Sequence, residues 1–118
     1  MDIKDYILRY QEHTEGEDSL YRSVEWSSNY DCPVKDLIPG KDVPFKPDKS
    51  LSEPSIKCIE VTEGEVVLAF EGYTGDGNQG LKKTAIRLSP DGSPWSSYFG
   101  GGRYDSTRSI MLIKPEKA

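Results

Sequence analysis

The sequence predicts an α+β fold: a four-stranded, mainly antiparallel sheet with an N-terminal helix packed on one face and a long proline-rich connection. Three observations predict it. Apolar residues near the N-terminus recur at helical spacing, five of the eight prolines crowd between positions 32 and 54, and the second half is rich in short β-branched and aromatic runs. At 118 residues the chain has the length of a single domain. It divides into an acidic helical segment over 1–31, a proline-rich connection over 32–54 and a β-rich half over 55–115.

The helix is expected over residues 2–13. Ile3, Tyr6, Ile7 and Tyr10 fall at i, i+3, i+4 and i+7, on one helical stripe. Asp2 suits the cap, Asp5 the positive end of the helix dipole and His13 the negative end. Residues 19–30, SLYRSVEWSSNY, fit a short helix capped by Asp18 or Ser19, or a strand with Leu20, Val24 and Trp26 on one face. A short helix or irregular segment is favoured.

Prolines 33, 39, 44, 47 and 54 then argue against regular structure, because proline donates no backbone hydrogen bond and restricts its predecessor. Val34, Leu37, Ile38, Val43 and Phe45 punctuate this segment and should pack it down. Four strands follow, over 56–61, 65–73, 81–88 and 107–114, the first two joined by the hairpin signal TEGE. Val66, Leu68 and Phe70 share one face and Val67 and Ala69 the other, so the second of these strands should be central. The expected core is Ile3, Ile7, Ile59, Val66, Leu68, Phe70, Ile86, Leu88, Ile110 and Leu112.

Several chemistries find no support. Gly100, Gly101 and Gly102 are followed by Arg103 and Tyr104, which fits neither a P-loop nor a dinucleotide fingerprint, and they read as a mobile loop. Trp95, Tyr98, Arg103 and Tyr104 around them form a possible secondary contact surface. Asp76, Asn78 and Gly80 suggest a calcium loop, but its later positions hold Leu81 and Arg87, so it reads as a turn. The lone histidine, His13, shows no ligand or nucleophile spacing with Cys32 and Cys58, which read as buried free thiols. No cofactor or metal is expected. No apolar run approaches the ~20 residues of a membrane span, and residues 1–13 lack a signal-peptide core, so a cytoplasmic chain is expected.

The charge is unevenly placed. Residues 1–31 hold eight acids against three bases, whereas the other 87 residues carry twelve of each, so the whole net charge of −5 lies in the first quarter. Together with the missing catalytic constellation, this predicts a non-enzymatic binding protein, an acidic inhibitor of the immunity or antitoxin type that covers a basic partner such as a nuclease toxin. Glu12, Glu15, Glu17, Asp18 and Glu25 would meet that partner, with Tyr21 and Trp26 as anchors. Two other readings compete. One is a small carboxylate-dependent enzyme. The other is a nucleic-acid module using Lys82, Lys83, Arg87, Arg103 and Arg108 beside Tyr73, Trp95 and Tyr98, against which the acidity of the chain argues.

Overall fold

A strand in the middle of a sheet must have both backbone edges satisfied, and the N-terminal segment meets that demand with two partners far apart in sequence. A computed structural model describes residues 2–17, 19–45, 55–73, 75–76, 81–101 and 104–115. In it strand β1, Ile7–Glu17, pairs antiparallel with β2, Ser23–Pro33, on one edge. Its other edge pairs antiparallel with β8, Tyr104–Ile113.

The helix predicted over residues 2–13 is therefore overturned. Only a 3-10 turn, Ile3–Asp5, precedes β1, and Asp2 caps it by accepting a 2.9 Å hydrogen bond from the Lys4 backbone N–H. The helical spacing of Ile3, Tyr6, Ile7 and Tyr10 coincides with a second pattern of period two, in which Leu8 and Tyr10 are fully buried. Two flanking strands satisfy that second pattern. The favoured helix or irregular segment over 19–30 is also replaced: Leu20 and Tyr21 lie in the turn, and Val24 and Trp26 lie in β2.

The remaining strands are β3 (Ser55–Val61), β4 (Val66–Tyr73), the two-residue β5 (Gly75–Asp76), β6 (Leu81–Leu88) and β7 (Trp95–Gly101). They complete two sheets, one ordered β2-β1-β8-β7-β5 and the other β3-β4-β6. All pairings are antiparallel except β5 with β7. The single four-stranded sheet with a helix on one face thus gives way to two sheets and, among the described residues, no α-helix. Gly100 and Gly101 end β7, so this part of the predicted mobile loop is strand, while Gly102 and Arg103 lie outside the described residues.

Leu8, Tyr10, Tyr30, Cys32 and Ile110 from the first sheet share one hydrophobic core with Ile56, Cys58, Val66, Leu68, Phe70, Ile86 and Leu88 from the second. The proline-rich segment contributes Val34, Leu37, Val43 and Phe45 to it, as its apolar residues predict, but leaves Ile38 exposed. Part of that segment runs along the edge of β3, where Gly40 and Val43 donate to Cys58 and Ile56 carbonyls at 2.8 and 3.0 Å. Gly40 turns the chain there at a φ of +87°, a conformation that suits glycine. Phe45 meets the Tyr10 and Tyr30 rings at centroid distances of 6.1 and 6.4 Å.

Ile3, Val66, Leu68, Phe70, Ile86, Leu88 and Ile110 are buried as expected. Ile7 and Leu112 are half-buried, and Ile59 is exposed. Ile56 and Cys58 face the core, so alternation along β3 turns Ile59 out, and the register shift between Cys58 and Glu60 keeps Glu60 exposed as well. Both cysteines are buried free thiols. Burial also pushes the Cys58 thiol above its ordinary pKa, which disfavours the reactive thiolate.

Two outcomes follow from this packing. Leu68→Ala should cost about 2–5 kcal/mol in chemical denaturation, because a fully buried central-strand side chain leaves a cavity, whereas Ile59→Ala should cost under about 1 kcal/mol. The second concerns Arg9 and Asp31, which face each other across β1 and β2. The guanidinium makes two hydrogen bonds to the carboxylate, of 2.7 and 2.9 Å, and so holds Asp31 below its usual pKa of 3.8. A carboxylate depressed in the folded state contributes stability above its unfolded pKa and loses it as pH falls through the folded value. Asp31→Asn should therefore be less stable than the wild type at pH 7, with the gap closing below about pH 4.

Candidate functional site

Among the described residues, none between 11 and 29 belongs to the hydrophobic core. The outer half of the β1–β2 hairpin is thus an arm, about 20 Å long at the usual strand rise, in a molecule whose principal extents are 49 × 32 × 26 Å. The arm keeps its shape through the ladder with β8 and through side-chain pairs across it.

Alternation sorts these side chains onto two faces. On the core side, Tyr10 is followed by Glu12 and Thr14, with Ser28 and Trp26 opposite on β2 and Arg108 and Ser106 opposite on β8. The Tyr10 hydroxyl donates to Glu12 Oε2 at 2.7 Å, and Arg108 Nε lies 3.7 Å from the same oxygen. Arg108 is only 5% exposed, so this charge is held largely out of water beside a carboxylate. Thr14 and Ser106 share a 2.8 Å hydroxyl–hydroxyl bond one step further out.

The outer face is different. Across β2, β1 and β8, Glu25 stands opposite Glu15, and Glu15 opposite Asp105. Glu17 follows two positions along on the same face of β1. Like charges directly opposite one another destabilise a sheet, so this row carries an energetic cost. His13 lies beside it, with Nδ1 2.8 Å from Ser27 Oγ and Nε2 3.3 Å from Glu25 Oε2. At the hairpin tip Leu20 and Tyr21 are exposed, and Tyr21 holds a φ of +62°, an unusual conformation for a bulky residue.

The residues expected to bind a partner therefore do not form one patch. Glu15, Glu17 and Glu25 share the outer face, and Tyr21 stands at the adjoining tip. Glu12 is on the other face, engaged with Tyr10 and Arg108, and Trp26 is on that face too, half exposed. Asp18 lies outside the described residues. The structure adds Asp105, brought opposite Glu15 from ninety positions away by the β1–β8 register, whose Oδ1 accepts a 2.8 Å hydrogen bond from the Tyr98 hydroxyl. No local signal marked it. His13 groups with Glu15 and Glu25 and not with Cys32 or Cys58, and it closes no helix.

The secondary contact surface also separates. Trp95 packs on Phe70 at a ring distance of 4.7 Å and borders the core, Tyr98 is exposed on the outer face, and Tyr104 is placed by its backbone opposite Gly16 and Gly101. Of the cations weighed for nucleic acid, Lys83, Arg87 and Arg108 each have a carboxylate neighbour, in Glu71, Glu65 and Glu12. That weakens the basic stripe on which such binding would rest.

Arg108→Ala should cost about 1–3 kcal/mol, because it removes the cation beside Glu12 and opens the core side of the arm. Arg87→Ala, in an exposed pair with Glu65, should cost under about 1 kcal/mol. Denaturant titration of the two variants compares them directly. No helix among the described residues is long and apolar enough to cross a membrane. No family model, curated protein or solved structure matches this chain.

Proposed function

We propose that the hairpin arm docks a basic protein, and that the chain acts as a non-enzymatic inhibitor of the immunity or antitoxin type, covering the cationic surface of a toxin such as a nuclease. The observation that carries this reading is the row Glu25, Glu15 and Asp105, opposed in register on a surface outside the core. A fold that keeps like charges opposed in this way has a place where lysine or arginine from a partner relieves repulsion. Negative potential there also steers a cationic partner into encounter. Leu20 and Tyr21 add apolar area at the tip, and the left-handed backbone at Tyr21 holds a bulky side chain at a site where glycine or asparagine would fit at lower cost.

The test begins with the partner recovered from the native host and measures its association rate at two salt concentrations. Changing Glu15, Glu17 and Glu25 together to lysine should slow association at low salt, with the wild-type advantage shrinking as salt rises. The same reversal at Glu60 and Glu63, exposed residues outside the arm, should change the rate little. An acidic partner, or an association rate untouched by the triple reversal, would refute the proposal.

A further inference from the structure

His13, Glu15 and Glu25 each offer one ligand atom, and the three atoms lie within 4.8 Å of one another. We infer that they form a binding site for a divalent transition-metal ion of the zinc type, with solvent completing the coordination. Zinc binds imidazole nitrogen and carboxylate oxygen at about 2.0–2.2 Å, so two ligand atoms of a tetrahedral site stand roughly 3.3–3.5 Å apart. His13 Nε2 and Glu25 Oε2 already have that separation, at 3.3 Å. The distance is long for a charge-assisted hydrogen bond, which closes to about 2.7–2.9 Å, and it fits the edge of a coordination tetrahedron.

The other ring nitrogen supplies a further observation. A metal-bound histidine generally donates its second N–H to a neighbouring acceptor, which fixes both ring orientation and tautomer. Here Nδ1 lies 2.8 Å from Ser27 Oγ, directly across the β1–β2 ladder. With the proton on Nδ1, the serine oxygen accepts and Nε2 presents its lone pair towards Glu25. Glu15 is two positions along β1 on the same face and opposite Glu25 in register, so its carboxylate needs only a rotation about its own side chain to become the third ligand.

The ligand set also selects the ion. One imidazole with two carboxylates suits zinc and its neighbours in the transition series, whereas calcium and magnesium favour all-oxygen shells. Being on the surface, the site would exchange its metal freely. A dication there cancels the repulsion between Glu15 and Glu25, the same repulsion that a basic partner would relieve. The site itself needs no partner, so it is testable on the isolated chain and stands or falls separately from the docking reading.

Tag-free protein titrated with zinc chloride in a non-chelating buffer, followed by calorimetry, should bind one ion per chain. His13→Ala and Glu25→Gln should each weaken binding by more than tenfold, and Ser27→Ala by about tenfold, as expected for a residue that orients a ligand. Magnesium should not substitute. His13 is the sole histidine of the chain, so nitrogen NMR of the imidazole reports on one residue, and zinc should shift Nε2 far more than Nδ1. Circular dichroism of each variant confirms that the sheet is intact, which these exposed positions should allow. No zinc binding at millimolar concentration, unchanged affinity in His13→Ala, or an imidazole signal that zinc leaves unmoved would each overturn the assignment.

Discussion

The two-sided pairing of β1 is the constraint on which the rest of the structure depends. β1 pairs over all eleven of its residues with β2 and over ten of them with β8, a strand that begins nearly ninety positions after β1 ends. Such a contact forms only after a long loop has closed, so its entropic cost must be repaid by burial. The repayment comes at the inner end of the strand, where Leu8 and Tyr10 meet Cys32, Tyr30, Ile110 and the proline-rich segment. Towards the outer end the ladder continues, but the core does not.

Tyr10 marks the transition. Its ring is fully buried and stacked on Tyr30 at 5.7 Å, while its hydroxyl is bonded to Glu12. An aromatic residue with a polar tip can satisfy both environments at once. From Glu12 outward the core side of the arm is stabilised by a chain of specific polar contacts, first to Arg108 and then between Thr14 and Ser106. These contacts order the arm without the broad apolar burial that would tie it to the second sheet. It is therefore a well-formed surface that the core does not need, a suitable place for recognition.

What the sequence disclosed follows from how local the determining contacts are. Residues 55–73 form β3 and β4 because a short turn joins two runs of matching alternation, and β6 occupies the span that alternation of LKKTAIRL predicts. The N-terminal segment misled because Ile3, Tyr6, Ile7 and Tyr10 satisfy a helical period as well as Leu8 and Tyr10 satisfy a strand period. Only the distant β8 distinguishes the two. Strand β7 was hidden for a related reason, since its serines and glycines carry little strand propensity of their own and it exists through its pairing with β8. The acidic bias was visible in composition, yet its division between two faces was not. A strand places Glu12 and Trp26 opposite to Glu15 and Glu25, whereas a helix would have grouped them differently. The grouping of His13 with Glu25 depends on register alone, which no spacing along one strand reveals.

The placement of the charges also bears on a problem that any sheet faces. β2 ends the first sheet, and its outward backbone edge meets no other strand among the described residues. An unpaired edge invites pairing with another chain, and charged side chains are a common guard against it. Glu25 and Asp31 lie on this strand, but Asp31 is matched by Arg9 while Glu25 stands opposite a like charge. Edge protection alone would be served by either arrangement. It does not require a second carboxylate on β1 and a third on β8, strands that are both already paired. The extra cost of opposing three acids in register is thus unexplained by protection of the edge, and it is confined to the part of the sheet that contributes nothing to the core. The repulsion is kept where it harms stability least, on a face turned to solvent.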